Sequence, residues 1–147
     1  MLPDKITLEI ATPERRVLIE TVDEVVLPGK LGYLGVLPGH APLLTSLSVG
    51  ELMYRKGAEK KYLAMAWGFA EVLPTRVIVL ADLAEPAEEI DVARAQAKKS
   101  EVEARLKNAD SSFDMKAASV SLQKAIIRIQ VARSGISMSR SCSAARQ

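Results

Sequence analysis

Cysteine is almost missing from this chain of 147 residues: the one thiol, Cys142, stands in a Ser-rich tail. One cysteine closes no internal disulfide, which fits a reducing compartment. No structure is expected around it to lower its pKa, so a catalytic thiol is excluded. Histidine also occurs once, as His40. With no second histidine and no cysteine cluster, no metal site is expected. Aromatic residues make up 4% of the chain, so a core must rest on Val, Leu and Ile. No apolar run approaches the ~20 residues that a membrane span needs. The opening MLPDKITLEI has neither a basic region before an apolar run nor a small-residue cleavage site, so no signal peptide is expected. These absences describe a soluble, cytosolic chain. Enzymatic patterns are missing too. There is no Gly-x-Ser-x-Gly elbow, and Gly29, Gly32 and Gly35 lack the Gly-Lys-Ser/Thr ending of a phosphate loop, so no catalytic residue is assigned.

What is present divides in two. Residues 1–88 carry 9 basic and 12 acidic side chains, whereas residues 89–147 carry 11 basic and 6 acidic. From Met115 onward there are six basic residues and no acidic one. The second segment is therefore expected to face something acidic.

The first segment reads as strands. Ile6, Leu8 and Ile10 alternate with Thr7 and Glu9, and Val17 and Ile19 with Leu18 and Glu20. Residues 22–27, 51–55, 61–67, 69–73 and 76–80 are further short runs, separated by Thr12-Pro13, Pro28-Gly29, Lys56-Gly57 and Pro74-Thr75. Short strands at this spacing, without helical segments between them, predict an all-β sandwich or barrel. Trp67, followed by Gly68, reads as a core aromatic beside a bulge or bend. Residues 27–50 hold five of the eight glycines, three of the seven prolines and His40. Such a run is built of tight turns. Val36, Leu37, Leu43 and Leu44 are expected to tie it to the core. His40, inside Pro38-Gly39-His40-Ala41-Pro42, has two readings: a bond to the loop's own backbone, or a contact at a protein interface.

From Ala84 the composition changes to one rich in Ala, Glu, Lys and Arg, the strong helix formers, and residues 87–134 are expected to form a helical hairpin. Val92, Ala95, Val102 and Leu106 give a narrow buried stripe to a first helix, which breaks at residues 108–112. Asp110 or Ser111 is the expected N-cap of a second helix over residues 113–133. Phe113, Ala117, Val120, Ile127 and Val131 form one stripe on it; Met115, Ala118, Leu122, Ala125 and Ile129 form another. So wide an apolar surface needs two partners. One is the first helix, in an antiparallel hairpin; the other is the β part or another protein. Ser134-Gly135 is expected to end the helix, leaving residues 135–147 as a disordered tail.

One group of residues has the chemistry to hold an anion. Glu85, Ile90, Asp91, Arg94 and Ala95 span the entry to the first helix, where free N–H groups and the dipole attract phosphate. Lys124 and Arg128, four apart, share a face of the second helix. The plain alternative is that Asp91 caps the helix and pairs with Arg94 while Lys124 and Arg128 are solvated. Nucleic acid is not an expected partner, because the basic residues alternate with a broad apolar surface and no aromatic platform accompanies them.

GYLGVLPGHAPLLTSLSVGEL (residues 32–52), AWGFAEVLPTRVIVLAD (residues 66–82) and IDVARA (residues 90–95) carry a resemblance. Over nearly its whole length, to about Arg133, the chain resembles the epsilon subunits of bacterial and chloroplast F-type ATP synthases. The resemblance implies a noncatalytic rotor subunit, peripheral on the cytoplasmic face of the bacterial inner membrane. It implies that residues 1–86 form an antiparallel β-sandwich of about ten strands in two sheets, which clamps the gamma subunit and sits on the c ring, with proton flow coupled to rotation. It also implies a hairpin that is either folded down or extended along gamma, where it meets the alpha and beta subunits and inhibits ATP hydrolysis. By the same resemblance Lys30, Leu31, Gly32, Tyr33 and Leu34 face the c ring, and His40 and Pro42 face gamma. Arg128 and Arg133 face alpha and beta. No cofactor is required, but the family's ATP-binding motif is matched by Ile90, Asp91, Arg94 and Ala95, with Glu85 in place. ATP is thus a candidate regulatory ligand. The motif's two later arginines fall on Lys124 and Arg128; lysine keeps the charge and loses the planar fork. Where relatives often carry acidic residues before Gly35, this chain has Lys30-Leu31-Gly32-Tyr33. A free-standing ATP sensor is the alternative function.

Overall fold

The computed structural model describes residues 2–108 and 114–144, with side chains described as far as Ile136. Eight strands come first: β1 (Ile6–Ala11), β2 (Arg16–Val22), β3 (Glu24–Gly29), β4 (Gly32–Val36), β5 (Leu43–Leu47), β6 (Gly50–Lys56), β7 (Glu59–Val72) and β8 (Arg76–Pro86). A 3-10 turn (Ala87–Glu89) leads to helices α1 (Val92–Lys107) and α2 (Met115–Ala144). The strands run β2-β1-β8-β7-β5-β3-β4, and β6 pairs with both β3 and β7, so the sheet folds back over one core. All pairings are antiparallel except β1 with β8, which are parallel, an arrangement that the long connection between them permits.

The β-sandwich followed by two helices stands as expected, with eight strands rather than ten among the described residues. Two expected runs, residues 61–67 and 69–73, are one strand, β7. Its inward residues are Leu63 and Met65 before the middle and Ala70 and Val72 after it; in β8 they are Val77, Val79 and Ala81, then Ala84. Both strands thus change parity while staying paired, residue 66 opposite 83 and 68 opposite 81. A regular strand alternates strictly, so a local break must carry the change. It lies at Trp67 and Gly68, with φ of +40° and +145°. A Cβ on Gly68 would stand 1.9 Å from the Leu80 carbonyl oxygen, so only glycine fits. Trp67 is half-buried on the outside of the bend, not in the core.

Other expectations shift for local reasons. Residues 22–27 are not one strand: Asp23 turns the chain between β2 and β3, its carboxylate bonded to Lys5 and to the Gly57 N–H. In β2 it is Val17 and Leu18 that pack on the core, and Ile19 faces solvent. In the loop-rich stretch Val36 is buried, but Leu37, Leu43 and Leu44 are exposed.

Asp91 caps α1, its carboxylate accepting from the Arg94 N–H at 3.0 Å. Asp114 does the same for α2, bonded to the Ala117 N–H at 3.1 Å. The expected cap at Asp110 or Ser111, like Phe113, lies outside the described residues. α1 packs chiefly along α2, while α2 also lies on β7, so the broad apolar surface has the two partners it needs. Ile127 and Val131 join Ala64 in a small cluster with Val49, Tyr62, Ala87 and Ile90 at its edge. α2 does not stop at Ser134-Gly135 but continues to Ala144, which corrects the expectation of a disordered tail from residue 135; residues 145–147 lie outside the described set. The cost of glycine within a helix, roughly 1 kcal/mol, is a weak brake. Gly135 also serves packing here: a Cβ would come 2.9 Å from that of Ala87. Among the described residues no helix is long and apolar enough to cross a membrane.

Two measurements check this account. Gly68→Ala should destabilise the fold by about 2–3 kcal/mol through strain and clash, lowering the melting temperature by roughly 5–10 °C. The second concerns Tyr54, whose phenol is pushed up to about 12 by burial first, then by the charges of Glu20, Glu88 and Glu59. The unfolded chain loses this proton first, so stability present below pH 10 should be lost as pH rises through about 12. Tyr54→Phe should remove that slope and the latest component of the phenolate absorbance titration.

Candidate functional site

Two surfaces hold the residues of interest. The first is the seam between α2 and the sheet. Pro86 and the 3-10 turn carry the chain out of β8, which leaves Glu85 at the strand's end facing α2. Arg128 Nε donates to Glu85 Oε2 at 2.8 Å, both side chains being partly buried. Ile90 packs at the edge of the Ile127–Val131 cluster. The structure therefore brings Glu85, Ile90 and Arg128 together, with the capped N-terminus of α1 next in the chain.

The remaining members of the anion-binding set have other places. Lys124 shares the Arg128 face of α2, as spacing requires, but its Nζ lies 5.3 Å from the centroid of the Trp67 ring. Asp91 meets Arg94 through the backbone N–H, not through an ion pair of side chains. Arg94 is exposed, with its guanidinium unpaired among the described residues. Hence neither Lys124 nor Arg128 is merely solvated. Ser134 Oγ closes the seam, donating to Glu51 Oε2 at 2.8 Å. Arg133 is exposed. Chemically, the seam offers one paired arginine and one lysine seated on an aromatic ring, while the unpaired Arg94 stands in the first turn of α1. A concavity of about 180 Å³ lined by Glu20, Tyr54, Tyr62 and Glu88 shares no residue with this set.

The second surface is the outside of the sandwich. The β3–β4 hairpin places Lys30 and Leu31 at its tip, Leu31 fully exposed and Tyr33 largely so. Leu34 is turned partly toward the core and Gly32 takes φ of +133° to close the turn. The tip is held rigidly: the Lys30 N–H bonds Ser46 O at 3.0 Å and the Tyr33 hydroxyl accepts from Glu51 N–H at 3.3 Å. Beneath it Gly50 leaves no room for a Cβ, which would stand 2.6 Å from Pro28. His40 bonds its own loop, Nδ1 lying 2.7 Å from Ala41 O, and Gly39 N–H ties the loop to Pro74 O. Pro42 is exposed at the start of β5.

An apolar face on this surface escaped the sequence reading. Ser46, Phe69, Leu80 and Ala11 lie side by side across four strands, and the next row is Leu44, Glu71, Ile78 and Glu9. Leu44, Phe69 and Leu80 are 70%, 58% and 57% exposed. A patch of this kind marks an interaction site more often than a chance exposure. Its signal was there in part: residues 76–80 and 69–73 carry apolar residues on both faces, more than a half-buried strand needs.

Residues 5–87 match the family model described as ATP synthase, Delta/Epsilon chain, beta-sandwich domain, and residues 88–133 match its long alpha-helix domain. The chain is 51% identical over 138 residues to ATP synthase epsilon chain 1 of Syntrophotalea carbinolica, covering 91% of this chain and 98% of that one. It is 48% identical over 131 residues to the epsilon chain of Syntrophobacter fumaroxidans, covering 89% and 98%. Among solved structures, a chain of the Euglena gracilis mitochondrial ATP synthase, OSCP/F1/c-ring, shares the fold, with a TM-score of 0.72 at 24% identity over 92% of this chain and 84% of that one. The chain therefore belongs to the epsilon-chain members of the ATP synthase delta/epsilon family, as a noncatalytic subunit.

Proposed function

We propose that this epsilon subunit is part of the rotor, joining gamma to the c ring during proton-driven ATP synthesis and restraining ATP hydrolysis through its helices. The observation that carries the docking half is the pairing of a rigid, exposed tip with an apolar face on one small domain. Lys30, Leu31 and Tyr33 would meet the c ring. Leu44, Phe69 and Leu80, beside the His40–Pro42 loop, would meet gamma. The inhibitory half is supported by the attachment of the hairpin, which reaches the sheet through one face of α2. Released, α2 would present Arg128 and Arg133, with no acidic residue after Met115, to acidic segments of alpha and beta. In this reading the subunit is peripheral, held at the cytoplasmic face of the bacterial inner membrane by the complex.

A second reading concerns ATP as a regulatory ligand, including a free-standing sensor. Glu85, Ile90 and Arg128 converge beside the start of α1, and Arg94 is free to grip phosphate. Since Arg128 is already paired and position 124 is a lysine stacked on Trp67, the affinity expected is weak.

Ending the chain after Glu89 keeps β8 whole. In the assembled complex this truncation should raise ATP hydrolysis severalfold with gamma still bound; unchanged hydrolysis would remove the inhibitory claim. Phe69→Ala should weaken binding to gamma by roughly tenfold or more, as an interface anchor does, without lowering the melting temperature. Titration calorimetry of the isolated chain decides the second reading: heat that disappears in Arg94→Ala supports it, and no heat at millimolar ATP ends it.

A further inference from the structure

Trp67 is the one described residue other than glycine with a positive φ, +40°. A bulky L-residue is strained in this region. An outlier of this kind persists only where its surroundings hold it. The sheet itself gives no reason for a tryptophan here, since the side chain is outside the core and the close strand contact at the bend is made by Gly68. What holds the indole lies on the other side. Lys124 of α2 places its Nζ 5.3 Å from the ring centroid, within cation–π range, and has no ion pair with a described residue. Lys124 occupies the same face of α2 as Arg128 and Val131, the face that rests on the sheet.

We propose that Trp67 is a docking clamp for the helical hairpin. The bend, which the pairing of β7 with β8 requires, fixes the indole outside the core, where it seats Lys124 of the docked hairpin. When α2 leaves the sheet, Trp67 loses its cation while the bend stays. The Lys124 contact thus favours docking, and the strain at Trp67 is common to both states. Because α1 packs chiefly on α2, the hairpin leaves as a unit about the segment 86–91. The clamp rests on contacts within this chain and not on the rotor reading, so it is tested on the isolated full-length protein.

The experiment counts released hairpins by single-molecule energy transfer between dyes at Glu14→Cys and Ser119→Cys, both exposed positions, in a Cys142→Ser background. Urea is set below the sheet's unfolding transition, where a small fraction of hairpins is released. Lys124→Gln should raise the released population by roughly two- to fivefold, the range expected for one exposed cation–π contact. Trp67→Gly, which removes the ring and the strain together, should raise it as well while leaving the melting temperature of the sheet unchanged or higher. In the double variant release should be no greater than in the larger single one, because both substitutions cut the same contact. The proposal is overturned if Lys124→Gln leaves the released fraction unchanged or if the two effects multiply. It is also overturned if Trp67→Gly lowers the melting temperature, which would mark Trp67 as ordinary packing.

Discussion

The close approach of Gly68 to the backbone of β8 is the constraint on which the rest of the molecule depends. At that point β7 and β8 exchange inward for outward faces without losing register. Before the bend, the outer face of β7 shows Tyr62 and Ala64, small or flat enough for a helix to lie on, and α2 does so. After it, the outer face shows Phe69 and Glu71, and no described element covers them. One strand therefore carries a seat for the chain's own helix on one half and an open apolar face on the other. A side chain at residue 68 would push the strands apart and blur that division.

The hold on the hairpin is modest by design of its parts. Burial of Ile127 and Val131 contributes at most about 1.5–3 kcal/mol each. The partly buried Glu85–Arg128 pair and the Lys124–Trp67 contact each add up to about 1 kcal/mol. Against these stands the ordering of long side chains. A balance of a few kcal/mol keeps the helices docked and leaves release within reach of a competing partner. The charged outer side of α1, with its i,i+3 and i,i+4 pairs between Lys98, Lys99, Arg105 and Glu101, Glu103, supports helix formation whether or not the sheet is near.

Much of this was legible in the residues. The period-two pattern of Ile6, Leu8 and Ile10 places β1 with the right face inward, and the helix-forming composition after residue 87 places the hairpin. Asp91 was readable as a cap because an Asx residue before a helical run has one inexpensive place for its oxygen. Misreadings arose where local rules compete with contacts from far along the chain. Leu37, Leu43 and Leu44 are apolar and read as core residues, yet Leu37 lies in the loop after β4 and Leu43 and Leu44 stand on β5 where no described element covers them. The size of Trp67 points to the core as well, and Gly135 looks like a stop because its role against Ala87 is invisible in sequence.

Sequence alone determined the two-part layout and the basic and acid-free character of α2. These follow from composition and from spacings of two, three and four, which act over one strand or one helical turn. Only the tertiary structure decided that Arg128 is held by Glu85, that Lys124 rests on Trp67, and that Leu44, Phe69 and Leu80 share one open face. Each of those contacts joins residues remote in the chain, and their register is set by strand pairing and the bend at residues 67–68. No local propensity encodes that register, because it depends on which faces are left uncovered once the core has closed.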